Sequence, residues 1–385
     1  MSAWSRRSAS LPAGIGSSAS FAAANSRKAI SSRSNASASI AIAIPSLERQ
    51  QVSDFNVLGI GRTTLRAFAM DVSTCHARHL TGAEMNIAEL GKSPHADPLV
   101  KTIMEHDLAR HIVELDAYGF TVIPPEKLGT SPGFAERLRD AILNTYQKRH
   151  DVTIDDWQTA DLPAPNEMAW QLVDEDDVIT EAVLNPVVLA MARWHCGQSA
   201  ILGGTSSIIK PPHEKNYLAI HNDTHGVPPP QAAYTHLVNT SWVLTDYASR
   251  EDGPTVFVPG SHRWGRAPAP HETNFWEWEG EDRLYEPVPI EAKAGSLAVW
   301  GGNTWHGAMN RESTGLRVTM VLVWLRSYMQ RLQMWDDGAV SPERLERYPE
   351  LHKILGYDHP YPFREHVDKP DKIMEMIAPG QDQFA

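Results

Sequence analysis

Apolar residues first recur at helical spacing, with Leu99, Ile103, Leu108, Ile112 and Leu115 on one face of a stretch that stops before Gly119. Phe120-Thr-Val-Ile follows as a short strand, ended by Pro124-Pro125. Ser131-Pro132 reads as a helix start, because serine caps and proline fits a first turn. Phe134, Leu138, Ile142 and Tyr146 then mark one helical face, and a further helical stretch from Val178 to about His195 is interrupted at Asn185-Pro186. From Ala200 the pattern changes to short β-rich runs separated by glycine and proline: 200–209, 216–220, 233–247, 254–258, 287–291, 296–300 and 315–326. Runs of this length and punctuation predict an antiparallel barrel or jelly roll, not a parallel α/β sheet. After Tyr328 the chain is charged and helical, with a Pro-rich tail. The expected fold class is mainly β with flanking helices, as one domain over 96–385. Helical support spans 97–198, the β core 199–327, and a helical tail 328–385.

Composition changes the picture mainly at the N-terminus. The first 47 residues are rich in serine and alanine, carry Arg6, Arg7, Arg27, Lys28 and Arg33, and contain no acid before Glu48. Such a segment cannot build a core. It reads either as a disordered leader of organellar transit type or as an extension upstream of a true start at Met70 or Met85, so 1–95 is set apart from the fold. Net charge is −12, which argues against a general nucleic-acid or acidic-membrane binder. Cys75 and Cys196 are the only two cysteines, so a disulfide framework and a thiolate zinc site are excluded and a reducing compartment, the cytoplasm, is expected. No apolar run is long enough to predict a membrane-spanning helix.

The chemistry sits in the β region. His221 closes the run Tyr217-Leu-Ala-Ile, and in an extended segment His221 and Asp223 face one side while Asn222 faces the other. Two imidazoles and a carboxylate form the facial set that suits Fe(II) and leaves positions open. His225 keeps the same parity and is a rival, although Gly226-Val-Pro-Pro-Pro suggests that the strand has ended. For the third ligand, Trp305-His306-Gly307 is the best candidate: it follows the strand Gly295–Trp300 and a Gly301-Gly302-Asn303 turn, and Gly307 permits close backbone approach. His262, His195 and His271 are weaker. Arg317 lies inside the apolar run Leu316–Trp324, where burial is expensive unless an anion meets it. Its planar fork matches a carboxylate. Parity puts Arg317, Thr319, Val321 and Val323 on one side of the strand, so Thr319 can add a hydroxyl contact to the same anion.

Lys210-Pro-Pro, His221-Asn-Asp, Asn239-Thr-Ser-Trp242, Glu251-Asp-Gly, Val258-Pro-Gly-Ser-His262, Gly295-Ser, His306-Gly and Arg317 occur in this order. With this spacing, the segment resembles the phytanoyl-CoA dioxygenase family of Fe(II)/2-oxoglutarate-dependent oxygenases. The resemblance implies a double-stranded β-helix (cupin-like jelly roll), iron held by His221, Asp223 and His306, and the far carboxylate of 2-oxoglutarate held by Arg317, with O₂ as oxidant. The family often has a hydroxyl residue two positions after the distal histidine; here that residue is Ala308, and Thr319 is the expected replacement. The presence of Asp223, a position vacated in halogenating relatives, favours hydroxylation.

Substrate is less legible. The loop around Phe275-Trp-Glu-Trp-Glu279, with Glu281-Asp282, has the length of a lid. Its aromatics suit an apolar substrate and its acids oppose a polyanion such as coenzyme A. Candidate substrate contacts are Tyr217, Trp242, Arg263, Trp276 and Trp300, and the expected partner is a small or medium hydrophobic molecule. The alternatives are desaturation, epimerisation or peroxide formation with the same cofactors, or a non-catalytic metal-binding jelly roll.

Overall fold

The computed structural model describes residues 96–358 except 165, 225, 278–283 and 336–337. The expected leader, His225, Trp278 to Asp282 of the loop and half of the tail (336–337 and 359–385) therefore lie outside the described residues. The first apolar stretch is two helices, α1 (Ala96–Glu105) and α2 (Ala109–Tyr118). Asp107 takes a left-handed φ of 52° between them. Gly119 ends α2 in the left-handed region (φ 87°), its N–H reaching Leu115 O at 2.9 Å, as glycine does at a helix C-terminus. Strand β1 (Phe120–Ile123) follows. Helix α3 (Phe134–His150) starts later than Ser131-Pro132 predicted: Gly133 occupies its N-cap, and Ser131 Oγ accepts from Arg137 Nη2 at 2.7 Å instead.

Strand β2 (Glu167–Trp170) lies in a stretch where no strand was expected, since its apolar residues are few and sit among polar ones. The interruption at Asn185 is confirmed: α4 (Asp177–Val183) ends before it and α5 (Pro186–Cys196) begins after it. Asn185 Oδ1 accepts from the N–H groups of Val187 at 2.9 Å and Val188 at 3.3 Å, satisfying donors that a helix start leaves orphaned.

The remaining strands are β3 (Ile201–Lys210), β4 (Leu218–His221), β5 (Leu237–Val243), β6 (Thr255–Phe257), β7 (Val288–Pro289), β8 (Leu297–Gly301), β9 (His306–Ala308) and β10 (Arg317–Leu325). All paired strands are antiparallel, in two sheets ordered β1-β8-β5-β10-β3-β2 and β4-β9-β6-β7. From β3 onward the chain alternates between the sheets except at β6 and β7, which pair with each other in the smaller sheet, and the first and last of these strands (β3, β10) are neighbours. This is jelly-roll topology, as expected. Two details differ: β5 is shorter than 233–247, and His306 lies within a strand, β9, not in the connection between strands.

Helices α3, α4 and α5 cover the outer face of the larger sheet. Leu138, Ile142, Ile179, Val183, Val187 and Val188 pack there against Trp242, Val318, Met320 and Leu322, all buried. Each such side chain stabilises the fold by about 1.5–3 kcal/mol. Odd-numbered residues of β5 and β10 face the other way, into the space between the sheets.

Candidate metal centre and its cavity

His221 and His306 are direct cross-strand partners in the β4–β9 pair, so their side chains leave the same face, with ring centroids 4.3 Å apart. Each ring Nδ1 lies against the carbonyl two residues back, Ala219 O at 2.8 Å for His221 and Thr304 O at 3.0 Å for His306. A carbonyl can only accept, so each Nδ1 carries the hydrogen and each Nε2 is left as a lone pair. Both Nε2 atoms point at Asp223: Oδ1 is 3.6 Å from that of His221, and Oδ2 is 3.5 Å from that of His306. The three ligand atoms lie within 4.8 Å of one another. Asp223 is held from behind by Asn239 Nδ2 at 2.5 Å and through its own N–H to Gly302 O at 2.8 Å. Burial, the largest cause, pushes the His306 imidazole down to about 4 against the raising effect of Asp223, keeping it neutral as a metal ligand must be. Asn222 faces away, its Nδ2 donating to Gln231 Oε1 at 3.1 Å, as parity required. Gly307 is needed where β4 and β9 touch: a Cβ there would stand 2.5 Å from Leu218 O.

The three residues line a cavity of about 400 Å³ between the sheets. Arg317, Thr319, Val321 and Val323 all face it, as do Trp300, Lys210 and Thr255. Arg317 is 3 % exposed. Its Nε donates to Tyr247 Oη at 2.7 Å and its Nη2 to Thr255 Oγ1 at 3.1 Å, with the Tyr247 ring 5.1 Å below the guanidinium. Lys210, directly opposite Arg317 in the β3–β10 register, is 1 % exposed and donates to Met309 O at 2.8 Å. Burial first, then the charges of Arg317 and Arg311, push its ammonium down to about 6. Among the described residues, neither Arg317 nor Lys210 has a carboxylate in ion-pair contact. Thr319 Oγ1 and Trp300 Nε1 are buried without a hydrogen-bond partner among the described residues. Buried polar atoms are rarely left so. A buried guanidinium without a carboxylate, a buried lysine amine opposite it that an arriving anion would protonate, and an orphan hydroxyl, beside three metal-type ligands, fit a small dicarboxylate next to an iron ion, so the residues present suit both groups.

Four expected substrate contacts lie elsewhere. Trp242 is fully buried on the helix side of β5, donating to Ala182 O at 3.3 Å and packed on Phe134; its even number puts it opposite Asn239 and Ser241. Tyr217 donates to Glu277 Oε1 at 2.7 Å, and Trp276 donates to Leu218 O at 3.3 Å. Neither lines the cavity. The loop that carries Trp276 packs Phe275 on Tyr285 and Tyr285 on Trp305, on the outer side of the smaller sheet, so its described part is no lid over the cavity. Arg263 is exposed and bonded to Asp116. The Val258–His262 landmark is structural: Ser261 Oγ donates to Val258 O at 2.7 Å and accepts from Trp305 N at 2.8 Å, which fixes the entry to β9. Sequence reasoning had not assigned roles to Lys210, Asn239 or Tyr247. For Lys210 and Asn239 the signal was available, as polar side chains inside apolar strands.

Among solved structures, the chain resembles HygX from Streptomyces hygroscopicus with nickel and 2-oxoglutarate bound (16 % identity, 58 % of this chain and 89 % of that chain, TM-score 0.47). It also resembles the α-ketoglutarate-dependent carbocyclase SnoK from nogalamycin biosynthesis (19 % identity, 60 % and 88 %, TM-score 0.45). These likenesses carry no conclusion about reaction or substrate. The family profile described as phytanoyl-CoA dioxygenase (PhyH) matches residues 115–319, more than half of the chain, a span that includes the candidate metal ligands, Lys210 and Arg317. The chain belongs to the phytanoyl-CoA dioxygenase family and is a 2-oxoglutarate-dependent non-haem iron dioxygenase.

Proposed function

We propose that this dioxygenase hydroxylates an unactivated C–H bond of a small or medium hydrophobic organic molecule. The observation that carries the reading is the order of groups in one cavity: an anion-binding floor, the His221/Asp223/His306 set, and apolar walls. Arg317 and Lys210 hold the far carboxylate of 2-oxoglutarate, with the Thr319 hydroxyl beside them. Tyr247 and Thr255 fix the guanidinium so that it need not reorganise when the anion arrives. His221, Asp223 and His306 hold iron on one face, and Asn239 orients Asp223. When bound, iron with 2-oxoglutarate and O₂ supplies an oxidant for C–H bonds, the co-substrate leaving as succinate and CO₂. The apolar walls, Val321, Val323, Leu237 and Ile208, keep water away from the reacting centre. Asp223 fills the carboxylate position that a halide would need, which supports hydroxylation over halogenation.

The test is succinate formation from 2-oxoglutarate by purified protein with Fe(II) and ascorbate. A substrate screen read by product mass accompanies it. Gain of one oxygen atom supports hydroxylation; loss of two hydrogens, an unchanged mass, or gain of two oxygens would replace it by desaturation, epimerisation or peroxide formation. His221→Ala and Asp223→Ala should abolish iron binding and turnover, and Arg317→Ala should weaken 2-oxoglutarate while leaving iron bound. A protein that binds metal but forms no succinate from 2-oxoglutarate would be the non-catalytic metal-binding jelly roll.

A further inference from the structure

Of the residues that line the cavity, only Asn166, Met168, Trp170, Leu218 and Leu332 are exposed. The first three lie on or beside β2, the edge of the larger sheet, and Leu218 lies on β4, the edge of the smaller one. The cavity therefore opens along the seam between these two edge strands. Strand β2 presents an unusual pattern: Ala169 is buried towards the helices, while Met168 and Trp170 are each 43 % exposed towards the cavity. Large apolar side chains on the open side of an edge strand mark a contact surface. Register places them inside the sheet's rows. Trp170 pairs with Ser206, which pairs with Val321; Met168 pairs with Ile208, which pairs with Thr319. Ser206 faces the cavity with no side-chain hydrogen bond among the described residues. The charged lining groups Lys210, Arg317 and Asp223 are not among these exposed residues.

Resting on the proposed function, we infer that β2 is the substrate wall, and that it takes a neutral, ring-containing hydrophobic molecule bearing a hydroxyl or carbonyl group. The indole of Trp170 supplies a face for the ring, Met168 and Leu218 close around its edges, and Ser206 bonds the oxygen function. None of the exposed described residues of the lining is cationic, and Arg149 beside Trp170 is already engaged by Glu175 Oε1 at 2.6 Å, so anionic relatives of the same skeleton bind less well. Arg149 Nη1 holds the strand by donating to Trp170 O at 2.6 Å, a backbone contact that survives replacement of the Trp170 side chain.

The experiment is anaerobic calorimetry on the full chain loaded with Fe(II) and excess 2-oxoglutarate, titrated with 2-naphthol, naphthalene and 2-naphthoate. Parent protein should bind 2-naphthol most tightly. Trp170→Ala should weaken it about fivefold or more, with Trp170→Phe recovering much of the loss. Ser206→Ala should weaken 2-naphthol about three- to tenfold and leave naphthalene unchanged. Equal binding of 2-naphthol to the parent and to both Trp170→Ala and Ser206→Ala, no binding at all, or a preference for 2-naphthoate would overturn the inference. The loading step keeps the two readings apart. Failure to bind 2-oxoglutarate sinks the oxygenase assignment, whereas failure of 2-naphthol in a loaded protein sinks only the substrate wall.

Discussion

Lys210 gives the cavity a measurable proton linkage. Its usual value is 10.5, and burial with two neighbouring guanidinium groups lowers it to about 6. At pH 8, two units above that, about one per cent of the ligand-free protein carries the proton. A dicarboxylate seated between Lys210 and Arg317 reverses the balance, because an adjacent negative charge favours the ammonium. Binding therefore takes up close to one proton, and the complex holds more protons than the free protein. Affinity must then fall as pH rises, by about tenfold per unit from pH ~6 up to the ammonium value in the complex. The same shift has an opposite sign for stability: between about 6 and 10.5 the unfolded chain keeps the proton that the folded chain has lost, so this group makes the ligand-free fold more stable as pH increases. Anaerobic calorimetry of 2-oxoglutarate at pH 8, in two buffers of different ionisation enthalpy, counts the protons directly. Lys210→Met should bring the count near zero and flatten the pH profile. Tight binding without uptake in the parent, or the same uptake in the variant, would refute the placement of the carboxylate beside Lys210.

Gly307→Ala should fold but lose about tenfold or more in Fe(II) affinity, because the new Cβ would stand 2.5 Å from Leu218 O and 3.3 Å from Ala219 O, the carbonyl that orients His221; metal titration with circular dichroism checks this, and unchanged affinity would show that the close β4–β9 approach does not set the ligand pair. Trp242→Ala should cost about 3–5 kcal/mol of stability in denaturant unfolding without altering 2-oxoglutarate affinity, since the ring lies wholly on the helix side of β5.

The site was more legible than the walls around it. His221 and Asp223 could be placed together because a two-residue step in a strand repeats its face, and Arg317 could be read because a guanidinium inside an apolar run must face something. Parity on β5 gave no such answer. Every residue of β5 is buried, so sequence alone does not say which face meets helices and which meets the cavity, and Trp242 was placed on the wrong one. Strand β9 has three residues and no alternation of polarity, so it read as a connection. The aromatic loop read as a lid because length and tryptophans signal contact, but not with which side of a sheet. Strand β2 has four residues, Glu167-Met-Ala-Trp170, in a stretch otherwise rich in polar residues and proline, and only its pairing with β3 gives them a face.

Both imidazoles take their orientation from main-chain carbonyls, Ala219 O and Thr304 O, where a metal-binding histidine often leans on a carboxylate. At the proposed iron site, donor strength is thereby written into the course of two strands and not into a replaceable side chain. Mutational drift around the centre has little leverage over how the rings are held, while β2, with a single neighbour in the sheet, can change its side chains freely. A lineage built on this scaffold can explore new substrates without retuning its metal.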